Sequence, residues 1–151
     1  MTQSKRVTRE FVFEVAAPPE RVFPLLCPVR ERDWIAGWQA DMVYSDSGLA
    51  EDHAVFTTDF ADRGRGTWVV SHYDPQRFEI GFAVFYPDAC VERLDVKLAP
   101  CGSGATRTRW TRTYTALSEA GLRYLERNTG EALDARMDGL RESLQKYCAA
   151  G

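Results

Sequence analysis

No stretch of this sequence approaches the ~20 consecutive apolar residues that a bilayer-spanning helix needs. The opening run Met1-Thr2-Gln3-Ser4-Lys5-Arg6 has no apolar core, so a secretory leader is not expected. Histidine is scarce, with His53 and His72 the two examples, well separated. The four cysteines, Cys27, Cys90, Cys101 and Cys148, are scattered and form no CxxC pair. That donor set predicts no metal site, and reduced thiols in a cytoplasm. An excess of positive charge is also missing. The net charge of −3 offers no footprint for nucleic acid or for an anionic membrane. GxSxG, HExxH, the P-loop and the dinucleotide fingerprint are all absent, so no cofactor is expected and no standard catalytic motif is in place.

What is present is enough for one packed domain spanning residues 1–151, with 44% hydrophobic residues to fill its core. From Val7 to Val15, Phe11, Phe13 and Val15 share one parity and Thr8, Glu10 and Glu14 the other, which reads as a half-buried strand. Ala16-Ala17-Pro18-Pro19 ends it and starts a short helix, followed by a second short helical piece near Arg30 to Ile35. Six strand-like segments at hairpin spacing come next: 38–44, 53–59, 67–73, 78–84, 90–98 and 106–115. Ser118 then caps a helix expected to run unbroken to about Ala149. Leu122, Leu125, Thr129, Leu133, Met137, Leu140, Leu144 and Tyr147 form its apolar stripe. A one-sided antiparallel sheet cannot close its own core, and this helix is the element able to cover it. The fold class is therefore α+β, a seven-stranded curved antiparallel sheet around a long C-terminal helix.

Four segments carry a family likeness: Ala17-Pro18-Pro19-Glu20-Arg21-Val22-Phe23, Trp34-Ile35-Ala36-Gly37-Trp38, Tyr73-Asp74-Pro75 and Thr113-Tyr114-Thr115-Ala116-Leu117-Ser118. With the element order, they resemble the START-like or SRPBCC superfamily, the birch-pollen-allergen-like helix-grip fold. Within it, the chain looks most like the bacterial polyketide cyclase/dehydrase and lipid transport group. The resemblance implies a cavity between sheet and helix that holds a lipid-, polyketide- or steroid-like molecule. It carries a second implication, an aromatase/cyclase or dehydratase working in the same cavity. The expected partner is a small hydrophobic molecule, without nucleic acid or membrane insertion, and the expected state a monomer or weak homodimer.

The sheet's inward parity predicts which residues meet such a ligand. Pairing Leu98 with Thr106 sets Leu94 opposite Trp110, Glu92 opposite Arg112 and Cys90 opposite Tyr114. Pairing Val84 with Cys90 sets Phe82 opposite Glu92. Phe82, Leu94, Trp110 and Tyr114 then share a face with two charges, Glu92 and Arg112. Unpaired buried charge is costly. The two charges are either a polar anchor for a ligand or a structural cross-strand ion pair. From the helix, Leu125, Thr129 and Leu133 are expected to line the same space, with Arg136 either joining them or reaching water from the stripe's margin. Trp38 and Trp68 are expected to close the cavity. The two histidines lack an evident carboxylate partner and read as surface residues.

Overall fold

The computed structural model describes residues 5–151. Seven antiparallel strands run β1 (Arg6–Val15), β2 (Ala40–Tyr44), β3 (Val55–Phe60), β4 (Gly64–Asp74), β5 (Glu79–Tyr86), β6 (Cys90–Cys101) and β7 (Ala105–Ala116). Their order across the sheet is β1-β7-β6-β5-β4-β3-β2. Hairpins link neighbours from β2 onward, and β1 returns beside the last strand. Alternation fixes the faces: β6 buries Cys90, Glu92, Leu94, Val96 and Leu98, and β7 buries Thr106, Thr108, Trp110, Arg112, Tyr114 and Ala116. Ladder irregularities between Met42 and Tyr44 and between Val70 and His72 add bends, as bulges do.

The pairing differs from the expected one by two residues in both hairpins. Leu98 pairs with Thr108, Val96 with Trp110, Leu94 with Arg112, Glu92 with Tyr114 and Cys90 with Ala116. Likewise Val84 pairs with Glu92 and Phe82 with Leu94. The cause is tighter turns. Gly102 (φ 55°) and Gly104 (φ 82°) let β6 continue through Pro100 and Cys101, which faces Ala105. Phe78 leaves the expected alternation: it sits before β5 at φ 59° and packs its ring on Phe23, centroids 5.9 Å apart.

After β1, Pro19 opens helix α1 (Pro19–Val22), and 3₁₀ turns follow at Phe23–Leu26 and Glu31–Asp33. They bury Val22, Phe23, Leu25 and Leu26, which anchors the whole 19–38 segment on the sheet.

The C-terminal helix is two helices, α2 (Glu119–Asn128) and α3 (Glu131–Ala150), where a single one was expected. Ser118 does cap the first, accepting from Gly121 N at 3.0 Å. The break has a local chemical cause. Thr129 Oγ1 donates back to Leu125 O at 2.7 Å, Asn128 Nδ2 donates to Tyr124 O at 3.0 Å, and Gly130 supplies the irregular backbone before α3. Carbonyls orphaned by the break find a donor in Arg9 of β1, which reaches Thr129 O and pairs with Asp134. No helix among the described residues is long and apolar enough to cross a membrane.

Candidate functional site

A cavity of about 360 Å³ lies between the central strands and α3. Its sheet wall comes from Trp68 of β4, Phe82 of β5, Leu94 and Val96 of β6, and Trp110 and Arg112 of β7. Its helical wall is Arg136, Gly139, Leu140 and Ser143 of α3. Leu26, Glu31, Ile35 and Trp38 close one side, and Phe60 at the end of β3 with Arg63 of the β3–β4 turn another. Exposed Ala36, Gly37 and Gly139 mark the rim through which the space meets solvent.

Five aromatic rings, those of Trp38, Phe60, Trp68, Phe82 and Trp110, stand on the apolar wall. Trp68 sits at the hub: its ring stacks on Phe56 at 5.2 Å and takes edge-to-face contacts with Trp38 at 6.0 Å and Phe82 at 5.7 Å. Every indole N–H is already used inside the protein. Trp38 donates to Pro28 O and Trp34 to Leu25 O, both at 2.8 Å; Trp68 donates to Thr58 Oγ1 at 2.9 Å and Trp110 to Thr108 Oγ1 at 3.2 Å. The indoles are thereby held rigid, and those on the wall offer a guest ring surface rather than donors.

The polar wall is cationic with one carboxyl. Arg112 Nη1 donates to Glu92 Oε2 at 2.6 Å, and both side chains are almost wholly buried. Burial pushes the Arg112 guanidinium down, but Glu92, Tyr114 and Tyr86 together outweigh it and hold the group above its ordinary range. Arg112 Nε has no protein partner among the described residues, nor has Arg136 Nε. Arg136 Nη2 donates only to Asn128 O, at 3.2 Å. Glu31 makes no ion pair among the described residues. Desolvation pushes its carboxyl up to about 8, with the Arg112 charge pulling weakly the other way. Burial likewise raises the Tyr114 hydroxyl, with the Glu92 charge adding to the effect.

Of the residues expected from sequence, Trp38, Trp68, Phe82, Leu94, Trp110, Arg112 and Arg136 stand together on the cavity wall. Glu92 and Tyr114 lie just behind it, buried under Arg112. Leu125, Thr129 and Leu133 do not line the space: they are buried around the α2–α3 break, before the helical residues that do. Glu31, Ile35, Phe60, Leu140 and Ser143 line it without having been expected. Glu31 sits in the charged run Arg30-Glu31-Arg32-Asp33, which has no periodicity and reads as surface. His72 does meet a carboxylate, Glu79 Oε1 at 3.1 Å, yet both belong to the exposed side of the sheet rather than the cavity. Among the described residues, no three His, Cys, Asp or Glu side chains converge as metal ligands.

No protein-family model matches this sequence, and no curated protein matches it. Solved structures do match. Norcoclaurine synthase from Thalictrum flavum, as a point mutant with a transition-state analogue, superposes with a TM-score of 0.73 at 10% identity, over 99% of this chain and 98% of that one. Ara h 8.0201 gives 0.72 at 12% identity, over 97% and 100%. DynU16, a putative protein of the dynemicin biosynthetic locus, gives 0.61 at 18% identity, over 93% of this chain and 46% of that chain. At these identities the likeness establishes architecture. The fold is the helix-grip fold, as the order of strands and helices led us to expect.

Proposed function

We propose that this protein binds or carries a small hydrophobic molecule, lipid-, polyketide- or steroid-like, in the cavity between sheet and α3. The observation that carries the reading is a wall bearing Trp38, Phe60, Trp68, Phe82 and Trp110 around about 360 Å³ of space, with a few polar groups among them. That volume falls in the range of roughly 300–1,000 Å³ typical of small-molecule sites. A rigid aromatic wall left unfilled by side chains is costly to maintain in a core that could otherwise close on itself. The small-molecule complex of norcoclaurine synthase supports the reading by fold analogy alone. The whole chain, 1–151, is proposed as one domain acting in the cytoplasm as a monomer or weak homodimer. The adjacency of β1 and β7 supports the single domain, since it ties the first strand to the last in one sheet.

The test is a fluorescence titration with N-phenyl-1-naphthylamine, a neutral aromatic probe, coupled to native mass spectrometry. A saturable one-to-one complex is expected. Absence of saturable binding by both methods overturns the proposal.

A second reading, an aromatase/cyclase- or dehydratase-type enzyme, is favoured by Glu31. A carboxyl held near 8 beside a guanidinium suits proton transfer at neutral pH. The two readings part on the fate of the ligand, recovered unchanged from a carrier and altered by an enzyme in a Glu31-dependent way.

A further inference from the structure

The polar end of the cavity has an unbalanced charge. Three guanidiniums stand on its wall, those of Arg63, Arg112 and Arg136. Arg112 is matched by Glu92 at 2.6 Å. Arg63 is matched by Asp62 at 3.5 Å and lies over the Phe60 ring, its central carbon 3.8 Å from the centroid. Arg136 has no carboxylate within ion-pair distance among the described residues, only the Asn128 carbonyl. Arg112 and Arg136 both act on the Tyr114 hydroxyl, which puts them at the same end of the space. Each has a buried Nε with no hydrogen-bond partner in the protein. The remaining carboxyl on the wall, Glu31, is kept largely protonated at neutral pH by desolvation, so it does not cancel Arg136. The indole N–H groups are spent on the protein itself, so the donors a guest can meet at this end are chiefly guanidinium.

We infer that the cavity selects an aromatic monoanion, a ring system carrying one carboxylate or comparable oxyanion, over a neutral molecule of the same skeleton. This rests on the ligand-binding proposal and specifies its ligand class. The rings would lie against Trp38, Trp68 and Trp110, and the oxyanion would accept from Arg136 and the free edge of Arg112. A neutral guest would leave both Nε groups buried without a partner, which is unfavourable. An oxyanion gives charge-assisted hydrogen bonds to planar forks, the geometry guanidinium groups recognise best. Glu31 in its acid form adds a donor and no opposing charge.

A matched pair of probes tests this. 8-Anilino-1-naphthalenesulfonate and N-phenyl-1-naphthylamine share a skeleton and differ by the sulfonate, and the neutral one is the more hydrophobic. At about pH 6.5, where Glu31 is protonated, the anion is expected to bind at least about tenfold tighter. Arg136→Met is expected to abolish that preference, weakening the anionic probe about tenfold or more relative to the neutral one. Raising the pH to about 9.5 ionises Glu31 and is expected to weaken the anionic probe alone. Glu31→Gln is expected to remove that pH response. The other charged groups facing the site are Arg63, Arg112, Arg136 and Glu92; the Arg112 guanidinium is held above its ordinary range and burial pushes the Tyr114 hydroxyl up, so neither of these two titrates in this window. The wild-type comparison stands whether or not the Arg136 variant folds well. Equal or tighter binding of the neutral probe overturns the inference while leaving ligand binding intact. So does a preference that survives in a folded Arg136→Met protein. Failure of both probes to bind overturns the two together.

Discussion

Glu92 and Arg112 form a buried ion pair at 2.6 Å although they are not opposite one another in the sheet: Glu92 faces Tyr114 and Arg112 faces Leu94. The contact is diagonal, one step along the same face, where long side chains still reach. Its first consequence is for stability. Arg112→Met leaves the Glu92 carboxylate buried without its counter-charge, and Glu92→Gln does the same to Arg112. Each is expected to cost about 3–5 kcal/mol, whereas replacing both residues by apolar ones of similar size should recover most of the loss. Urea unfolding of the two single variants and the double variant measures this. Additive losses would show that the pair is not coupled.

The cavity wall and the core respond oppositely to added bulk. Leu140 lines the cavity, so Leu140→Trp fills empty space and is expected to cut probe affinity about tenfold or more with less than about 1.5 kcal/mol change in stability. Thr129 is buried at the α2–α3 break and does not line the cavity. Thr129→Trp is expected to cost about 1–3 kcal/mol through overpacking. Paired probe titrations and thermal melts of both variants check the contrast.

The N-terminus of α2 approaches the β5–β6 turn too closely for a side chain. A Cβ at Gly121 would stand 1.9 Å from the Ala89 carbonyl oxygen, which is backbone and cannot rotate aside. The same carbonyl accepts from Leu117 N at 2.7 Å. Gly121→Ala, ordinarily helpful inside a helix, is therefore expected to destabilise by about 1–3 kcal/mol. A melting temperature equal to or above that of the parent would contradict this contact.

Glu31 makes stability depend on pH in a particular direction. Its carboxyl is raised to about 8 in the folded protein from an ordinary value of 4.5, so the folded state holds a proton that the unfolded state has released between those limits. More protons bound in the folded state means that stability falls as pH rises through the window. The Glu31 contribution is fully present below about pH 4.5 and is lost by about pH 8. Unfolding free energies measured from about pH 5 to 8.5 are expected to fall more steeply for the parent than for Glu31→Gln. Identical slopes would place Glu31 in water.

Much of this architecture is legible in the sequence because a strand's period is two. The pairing of β5, β6 and β7 was displaced by two residues, yet Phe82, Glu92, Leu94, Trp110, Arg112 and Tyr114 still fell on the inner face, since an even slip leaves parity unchanged. The helix break was hidden for the converse reason. The apolar spacing runs through Leu125, Thr129 and Leu133 without interruption, so periodicity carries no mark of it. Its signal lies in side-chain chemistry, with Asn128 and Thr129 both able to bond back to the preceding turn and Gly130 a poor helix former. Treating the two helices as one put Leu125, Thr129 and Leu133 on the helical wall beside Arg136 and left out Leu140 and Ser143. Glu31 had no readable signal, because a 3₁₀ turn of three residues imposes no face on which a half-buried carboxyl would stand out.

The central claim, that a small hydrophobic molecule occupies the space under α3, is tested most directly by the indole N–H resonances of the four tryptophans. Trp38, Trp68 and Trp110 line the cavity, while Trp34 is buried outside it with its N–H held by Leu25 O. Titration of N-phenyl-1-naphthylamine into labelled protein is predicted to shift the first three together, saturably and with one affinity, and to leave Trp34 in place. If the probe binds while those three resonances stay fixed, or if surface residues move instead, the ligand lies elsewhere and the cavity is not the binding site.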